Sequence, residues 1–192
     1  MGLFSSRLAA KAKAEASAFA SKTETQSPLR QRIGQYWTFL GRPDLDGGDD
    51  DVPWSAAFVS YMVNIAGAGS QFPYSAQHSV YFYRTIYDKI IKKPTAFWGY
   101  KPGDVTIEPG DILGMNRASA AAIGYDWAAH HADYKSHSDI VVDVAANGDI
   151  TTIGGNVSNK VGRKTFAVHG GKLVNSASPS QEVFVVIRSS LP

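Results

Sequence analysis

Apolar residues recur at helical spacing in the first half of the chain and at alternating positions in the second half. Three segments carry apolar residues three and four positions apart, which is typical of helices packed against a core. These segments are residues 28–40, 53–67 and 75–91. The middle segment is apolar almost throughout, which indicates a helix that is buried on most sides.

After Pro94 the pattern changes to the alternation of apolar and polar residues that is typical of strands. Residues 137–144 and 149–154 are two such runs, and Asn147-Gly148 between them predicts a tight β-hairpin. Helices followed by antiparallel strands predict an α+β fold, in which N-terminal helices pack on a small antiparallel β-sheet. Further strands are expected at residues 109–115, 164–168 and 182–188.

Residues 1–27 differ in composition from the rest of the chain, because they are rich in Ala, Lys and Ser. They predict a short helix and a linker, followed by one folded domain over residues 28–192. Lys11 and Lys13 interrupt the alanines, so we expect no secretory signal. No apolar run reaches the roughly 18 residues of a transmembrane helix, so no transmembrane segment is expected.

Composition excludes several classes of site. The chain has 192 residues and a net charge of +2, which gives no strong attraction to nucleic acid. It has no cysteine, so it has no disulfide, no thiolate zinc site and no cysteine nucleophile. Catalysis by a nucleophilic side chain therefore requires another residue type.

Ser55 lies at the beginning of the apolar helix, just after Pro53. Proline suits the first turn of a helix, where its missing N–H is not needed. Free backbone N–H groups and the positive end of the helix dipole lie in that turn. A nucleophile there would have its oxyanion stabilised. The alternative is that Ser55 only caps the helix.

His137 begins the most strongly alternating strand, and Asp139 shares its face. The other face of this strand is apolar and is expected to meet the helices. A histidine at the strand end could reach Ser55, and a third polar group would then orient the imidazole. Asp139 and Asn156 are both candidates for that orienting group, because hairpin pairing returns Asn156 toward His137.

Four segments resemble, in order and spacing, the papain-like cell-wall hydrolases of the NlpC and CHAP type. They are Asp-Asp-Val-Pro-Trp-Ser-Ala-Ala-Phe-Val (50–59), Pro-Gly-Asp-Ile-Leu (109–113), His-Ser-Asp-Ile-Val-Val (137–142) and Ile-Gly-Gly-Asn-Val (153–157). The resemblance covers residues 28–188 and implies a papain-like amidase or peptidase, acting without a cofactor on peptidoglycan peptides. It implies Ser55 as nucleophile, His137 as base, and Asn156 or Asp139 as the orienting group.

The resemblance has one departure, because serine stands where these hydrolases have cysteine. Three interpretations follow: a natural serine-bearing branch, a cysteine peptidase trapped by a Cys-to-Ser change, or an inactive module that only binds. A serine hydroxyl needs a histidine to take its proton during attack, whereas a thiol is already partly ionised. The expected substrate-binding residues are Trp54, His78, Arg117 and Trp127.

A zinc site is the competing interpretation, because His130, His131 and His137 lie close together in sequence with Asp133 and Asp139. The segment lacks the His-Glu-x-x-His pattern of helical zinc sites, so no metal is expected.

Without a secretory signal, the protein is expected to be made in the cytoplasm and to reach the periplasm or cell wall by another route. A phage lysin, or a toxin injected as an interbacterial effector, would act there. The expected partners are then a peptidoglycan peptide and an immunity or delivery protein.

Overall fold

The computed structural model describes residues 2–117 and 123–192. The α-helices are α1 (Leu3–Ala18), α2 (Leu29–Phe39), α3 (Ser55–Val63), α4 (His78–Ile90) and α5 (Tyr125–Ala128), and a π-helical segment (Asn64–Ala68) and a 3-10 turn (Gly69–Gln71) follow α3. The strands are β1 (Phe97–Tyr100), β2 (Ile112–Asn116), β3 (Ser136–Val144), β4 (Ile150–Gly154), β5 (Gly162–His169), β6 (Lys172–Asn175) and β7 (Ser178–Ser189).

Six antiparallel strands, β2 to β7, form a closed barrel in the order β2-β3-β4-β5-β6-β7. The long strand β7 closes it, because β7 pairs with β2 through Ile112 and Ile187 and with β6 through Val174 and Glu182. Strand β1 adds to the last residues of β7.

The expected α+β papain-like fold of the NlpC and CHAP type, with N-terminal helices packed on a small antiparallel sheet, is therefore wrong. The prediction omitted the four-residue strand β6, and without β6 the sheet has no means of closing on β7. The helices pack on a closed barrel instead of an open sheet.

The barrel has an interior core that is separate from the core under the helices. Val141, Phe166 and Val186 belong to the interior core and are fully buried. Ile140 and Val142, on the opposite face of β3, belong to the core that the helices cover. The prediction that the second face of this strand meets the helices is confirmed.

Local patterns predicted several elements correctly. Helices α2, α3 and α4 lie within the three predicted helical segments. Strands β3 and β4 pair as the predicted hairpin, and Gly148 adopts a positive φ of 89° in its turn. Glycine suits this turn because it populates positive φ without steric cost.

Helix α1 shares the core with the rest of the chain. Phe4 and Leu8 are completely buried, and both belong to the core that the other helices form. The buried carboxylate of Glu15 accepts a hydrogen bond from the Tyr36 hydroxyl on α2, at 2.6 Å. The predicted N-terminal helix is thus present, and it packs directly on the remaining chain.

Candidate functional site

A cavity of about 780 Å³ opens at one end of the barrel, next to the beginning of α3. His137 and Lys164 project into it from the strand faces that also carry the interior residues Val141 and Phe166. Ser55 lines the same cavity from the helical side. The cavity is in the size range of small-molecule sites, about 300–1,000 Å³.

Ser55 is the first residue of α3, and its hydroxyl Oγ lies 2.6 Å from Nε2 of His78. The first hydrogen bond of the helix runs from the Phe58 N–H to the Trp54 carbonyl, so the three preceding N–H groups have no partner within the helix. Trp54 is the N-cap residue and makes no side-chain cap hydrogen bond. Ser55 therefore makes a specific contact with a histidine instead of capping its own helix.

His78 is the first residue of α4, and its ring is buried between hydroxyl groups. Its Nδ1 contacts the hydroxyls of Tyr81 and, at 2.8 Å, Ser138. Burial, followed by the positive charge of nearby His137, holds the pKa of His78 well below the usual 6.5. The imidazole is therefore neutral at neutral pH, and the lowered pKa makes it a weaker base than a free histidine.

His137 forms a second hydrogen-bonded pair, with the buried carboxylate of Asp139. Its Nε2 lies 2.9 Å from Asp139 Oδ1, and the other carboxylate oxygen accepts hydrogen bonds from Lys164 at 3.0 Å and Thr152 at 3.2 Å. Burial raises the pKa of Asp139, but the positive charges of His137 and Lys164 outweigh it and leave the pKa well below its usual range. Asp139 is thus an ionised carboxylate inside the barrel.

The two histidines are neighbours, with ring centroids 5.3 Å apart. Among the described residues, the side chain of Ser55 is hydrogen-bonded to His78, and the side chain of His137 is hydrogen-bonded to Asp139. The sequence predicted a hydrogen bond between Ser55 and His137, and the structure has one between Ser55 and His78 in its place. Of the two candidate orienting groups, Asp139 contacts His137.

Gly154 and Gly155 allow the helix and the histidines to meet. A Cβ atom on Gly154 would overlap the Asp139 carboxylate, and a Cβ on Gly155 would overlap Phe58 of α3. The Gly-Gly sequence therefore has a steric explanation in this structure. Asn156 follows with a φ of 56° and lines the cavity.

The four predicted substrate-binding residues have different positions. Arg117 lines the cavity, while His78 lies behind Ser55 and contacts it directly. Trp54 is buried and donates a hydrogen bond from its indole N–H to Glu24 at 2.7 Å, which fixes the beginning of α3. Trp127 is 44% exposed and lies outside the residues that line this cavity.

The histidines of the competing zinc interpretation lie apart. His131 stacks on Trp127 at a centroid distance of 3.8 Å, while His137 lies in the barrel with Asp139. Over residues 2–117 and 123–192, no group of three His, Asp or Glu side chains is placed to hold a metal ion.

The sequence predicts His78 as a substrate-binding residue, and its contact with Ser55 is evident only in the structure. Residues 75–91 predicted the helix but not its first residue, and only the structure shows that α3 and α4 begin side by side. The position of His78 near the beginning of a predicted helix was the sequence feature that could have indicated this contact.

A model of the bacterial family described as "Uncharacterized protein conserved in bacteria (DUF2272)" matches residues 6–185, so the chain belongs to this family. No curated protein matches the chain. No solved structure matches it either. Within the described chain, none of the helices is both long and apolar enough to cross a lipid bilayer.

Proposed function

We propose that the protein is a hydrolase that cleaves an amide bond, with Ser55 as the nucleophile and His78 as the proton acceptor. The observation that carries this proposal is the 2.6 Å contact between Ser55 Oγ and His78 Nε2 at the edge of the cavity. A nucleophile within hydrogen-bond reach of a base is the minimum arrangement for acyl transfer through a serine.

In the first step, Ser55 Oγ attacks the amide carbonyl carbon while His78 Nε2 takes the hydroxyl proton. The carbonyl oxygen becomes an oxyanion, which the N–H groups that have no partner within the helix at the beginning of α3 would stabilise. His78 must carry its remaining proton on Nδ1 in this step, where it donates to the hydroxyl of Ser138 or Tyr81.

In the second step, protonated His78 gives its proton to the leaving amine, the C–N bond breaks and an acyl-enzyme remains on Ser55. Burial lowers the pKa of His78, so its imidazolium form is a strong acid and releases the proton readily. Water then attacks the ester with His78 again as base, which releases the carboxylic acid and restores Ser55.

The role of His137 as base stays a prediction. In our proposal His137, oriented by Asp139, contacts the substrate from the barrel side of the cavity. Among the described residues, no carboxylate contacts His78, so His78 is a weaker base than the histidine of a Ser-His-Asp triad. In our proposal His137 compensates for this, because it offers a hydrogen-bond donor close to the reacting carbonyl.

Peptidoglycan peptides are the substrate class that we propose. The polar lining of the cavity supports this choice because it fits a peptide, whereas the closed barrel differs from the fold that the resemblance to cell-wall hydrolases implied. Delivery to the cell wall as an effector or lysin, with an immunity or delivery protein as partner, is part of the same proposal.

Purified sacculi test the function. Wild-type protein is expected to release soluble muropeptides that mass spectrometry detects, and Ser55→Ala is expected to release none. Arg42→Gln, which changes an exposed arginine paired with Asp44, serves as the control and should retain activity. No release by verified wild-type protein at high concentration would contradict the proposal.

A non-catalytic binding module is the second candidate function. The absence of a carboxylate at Nδ1 of His78, among the described residues, favours it, because hydroxyls stabilise an imidazolium less well. This alternative predicts that sacculi bind Ser55→Ala as well as wild type, with no turnover by either protein.

A further inference from the structure

We propose that the cavity recognises a carboxylate of the substrate through the guanidinium groups of Arg117 and Arg163. This inference rests on the proposed function, because it names a chemical group that the peptide must carry near the bond that Ser55 attacks. Both arginines line the same cavity as Ser55.

The other arginines show why these two are distinctive. The chain contains eight arginines. Over the described residues, five arginines form ion pairs with carboxylates and Arg7 donates to the Ala66 carbonyl. Arg117 and Arg163 take part in no hydrogen bond or ion pair with any part of the chain that the structure describes.

The charge of the cavity wall has one sign. The described residues that line it include Arg117, Arg163, Lys164 and His137, and none of these described lining residues is an Asp or Glu. Lys164 is already paired with the buried Asp139 at 3.0 Å. The two arginines therefore supply positive charge that no lining residue balances, and an anionic group of the ligand would balance it.

Arginine matches this role in geometry as well as charge. A guanidinium presents parallel N–H donors that fit the two oxygens of a carboxylate, and such charged hydrogen bonds are stronger than neutral ones. Asn156 and Ser158 line the same region and offer neutral donors. Phosphate could use the same donors, but a carboxylate is the anion that an unmodified peptide carries.

The test measures binding separately from turnover. Ser55→Ala protein is titrated with an acetylated tripeptide that ends in a free carboxylate, with the same tripeptide as its C-terminal amide, and with inorganic phosphate. The affinities are determined by calorimetry. Arg117→Gln and Arg163→Gln are examined in the same background, and Arg42→Gln is the control for loss of one positive charge elsewhere.

The acid is expected to bind about tenfold more tightly than the amide, because hydrogen bonds between charged groups are stronger than those to a neutral amide. Each cavity variant should reduce this preference to about twofold or less, and Arg42→Gln should preserve it. Equal affinity for acid and amide, or a preference that survives in both cavity variants, would overturn the inference. Tighter binding of phosphate than of the acid would overturn the choice of a carboxylate.

A parallel assay of wild-type protein on the amide bonds of sacculi keeps the two proposals apart. A carboxylate preference that depends on both arginines, without any turnover, would remove the hydrolase and leave the anion site standing. Turnover without a carboxylate preference would remove the anion site and leave the hydrolase standing.

Discussion

Ser55 and His78 are the first residues of two different helices, and their side chains meet at 2.6 Å although 23 positions separate them in sequence. Helices α3 and α4 therefore begin at the same place, beside the open end of the barrel. This relationship places the hydroxyl of Ser55 at the cavity wall, with a neutral imidazole behind it and, beside it, N–H groups that have no partner within the helix.

Replacing each histidine separately distinguishes their roles. His78→Gln is expected to lower kcat/KM on muropeptides by about 10²- to 10⁴-fold, the usual contribution of a general base. His137→Gln should have a smaller effect, because this ring does not contact Ser55 among the described hydrogen bonds. The reverse order of effects would restore His137 as the base.

A cysteine at position 55 would report on the environment of the nucleophile. The helix N-terminus and nearby positive groups favour thiolate, so Ser55→Cys should react with iodoacetamide at pH about 6 faster than a free thiol of pKa about 8.5. Ser60→Cys is the matched control, because Ser60 lies in the same helix and is completely buried. An inert thiol in folded Ser55→Cys protein would argue against an activated site.

The steric role of Gly154 predicts a specific loss of stability. Gly154→Ala forces a Cβ atom onto the Asp139 carboxylate and should reduce the free energy of unfolding by about 1–3 kcal/mol, as overpacking does. Gly124→Ala is the control, because no atom of residues 2–117 and 123–192 lies within 4 Å of the added Cβ. Urea denaturation measures both, and equal stability of the two variants would contradict the steric explanation.

The burial of α1 predicts that this helix is needed for stability. Leu8→Ala should cost about 2–5 kcal/mol, because Leu8 is completely buried in the core. Leu3 lies in the same helix but is 69% exposed, so Leu3→Ala should change stability by less than about 0.5 kcal/mol. Similar urea midpoints for the two variants would show that α1 does not pack on the domain.

The pKa of His78 predicts a pH dependence of stability. Burial and the charge of His137 keep this pKa below 6.5 in the folded state, so below pH 6.5 the unfolded chain binds a proton that the folded chain does not. The free energy of unfolding should therefore be constant above pH 6.5 and fall below it, by at most about 1.4 kcal/mol per pH unit from this residue.

Urea denaturation between pH 5 and pH 7.5 checks this slope. The slope should be smaller in His78→Gln and unchanged in His131→Gln, whose histidine is on the surface. An unchanged slope in His78→Gln would show that His78 titrates normally in the folded protein.

The sequence was informative where the structure depends on local patterns. Asn147-Gly148 specified the β3–β4 hairpin, and the alternation around Ile140 specified which face meets the helices. The position of Ser55 at the beginning of a buried helix was also predictable, because Pro53 and the apolar run after it mark that point.

The closure of the barrel and the partner of Ser55 were not predictable in this way. Closure depends on pairing between β6 and β7 and on the long β7 contacting β2 as well, and such registers leave no local pattern. The contact with His78 depends on how α4 packs against α3, and His137 had an equally suitable position in the sequence. Both are consequences of long-range packing.

Labelling with a fluorophosphonate tests the central claim most directly, because this reagent modifies activated serines independently of the natural substrate. Intact-protein mass spectrometry and peptide mapping should show one adduct, on Ser55, in wild-type protein. The adduct should be absent in Ser55→Ala, much slower to form in His78→Gln, and unaffected in Arg42→Gln. An unlabelled Ser55 in folded wild-type protein, under conditions that fully label a known serine hydrolase, would contradict the proposed Ser55–His78 pair.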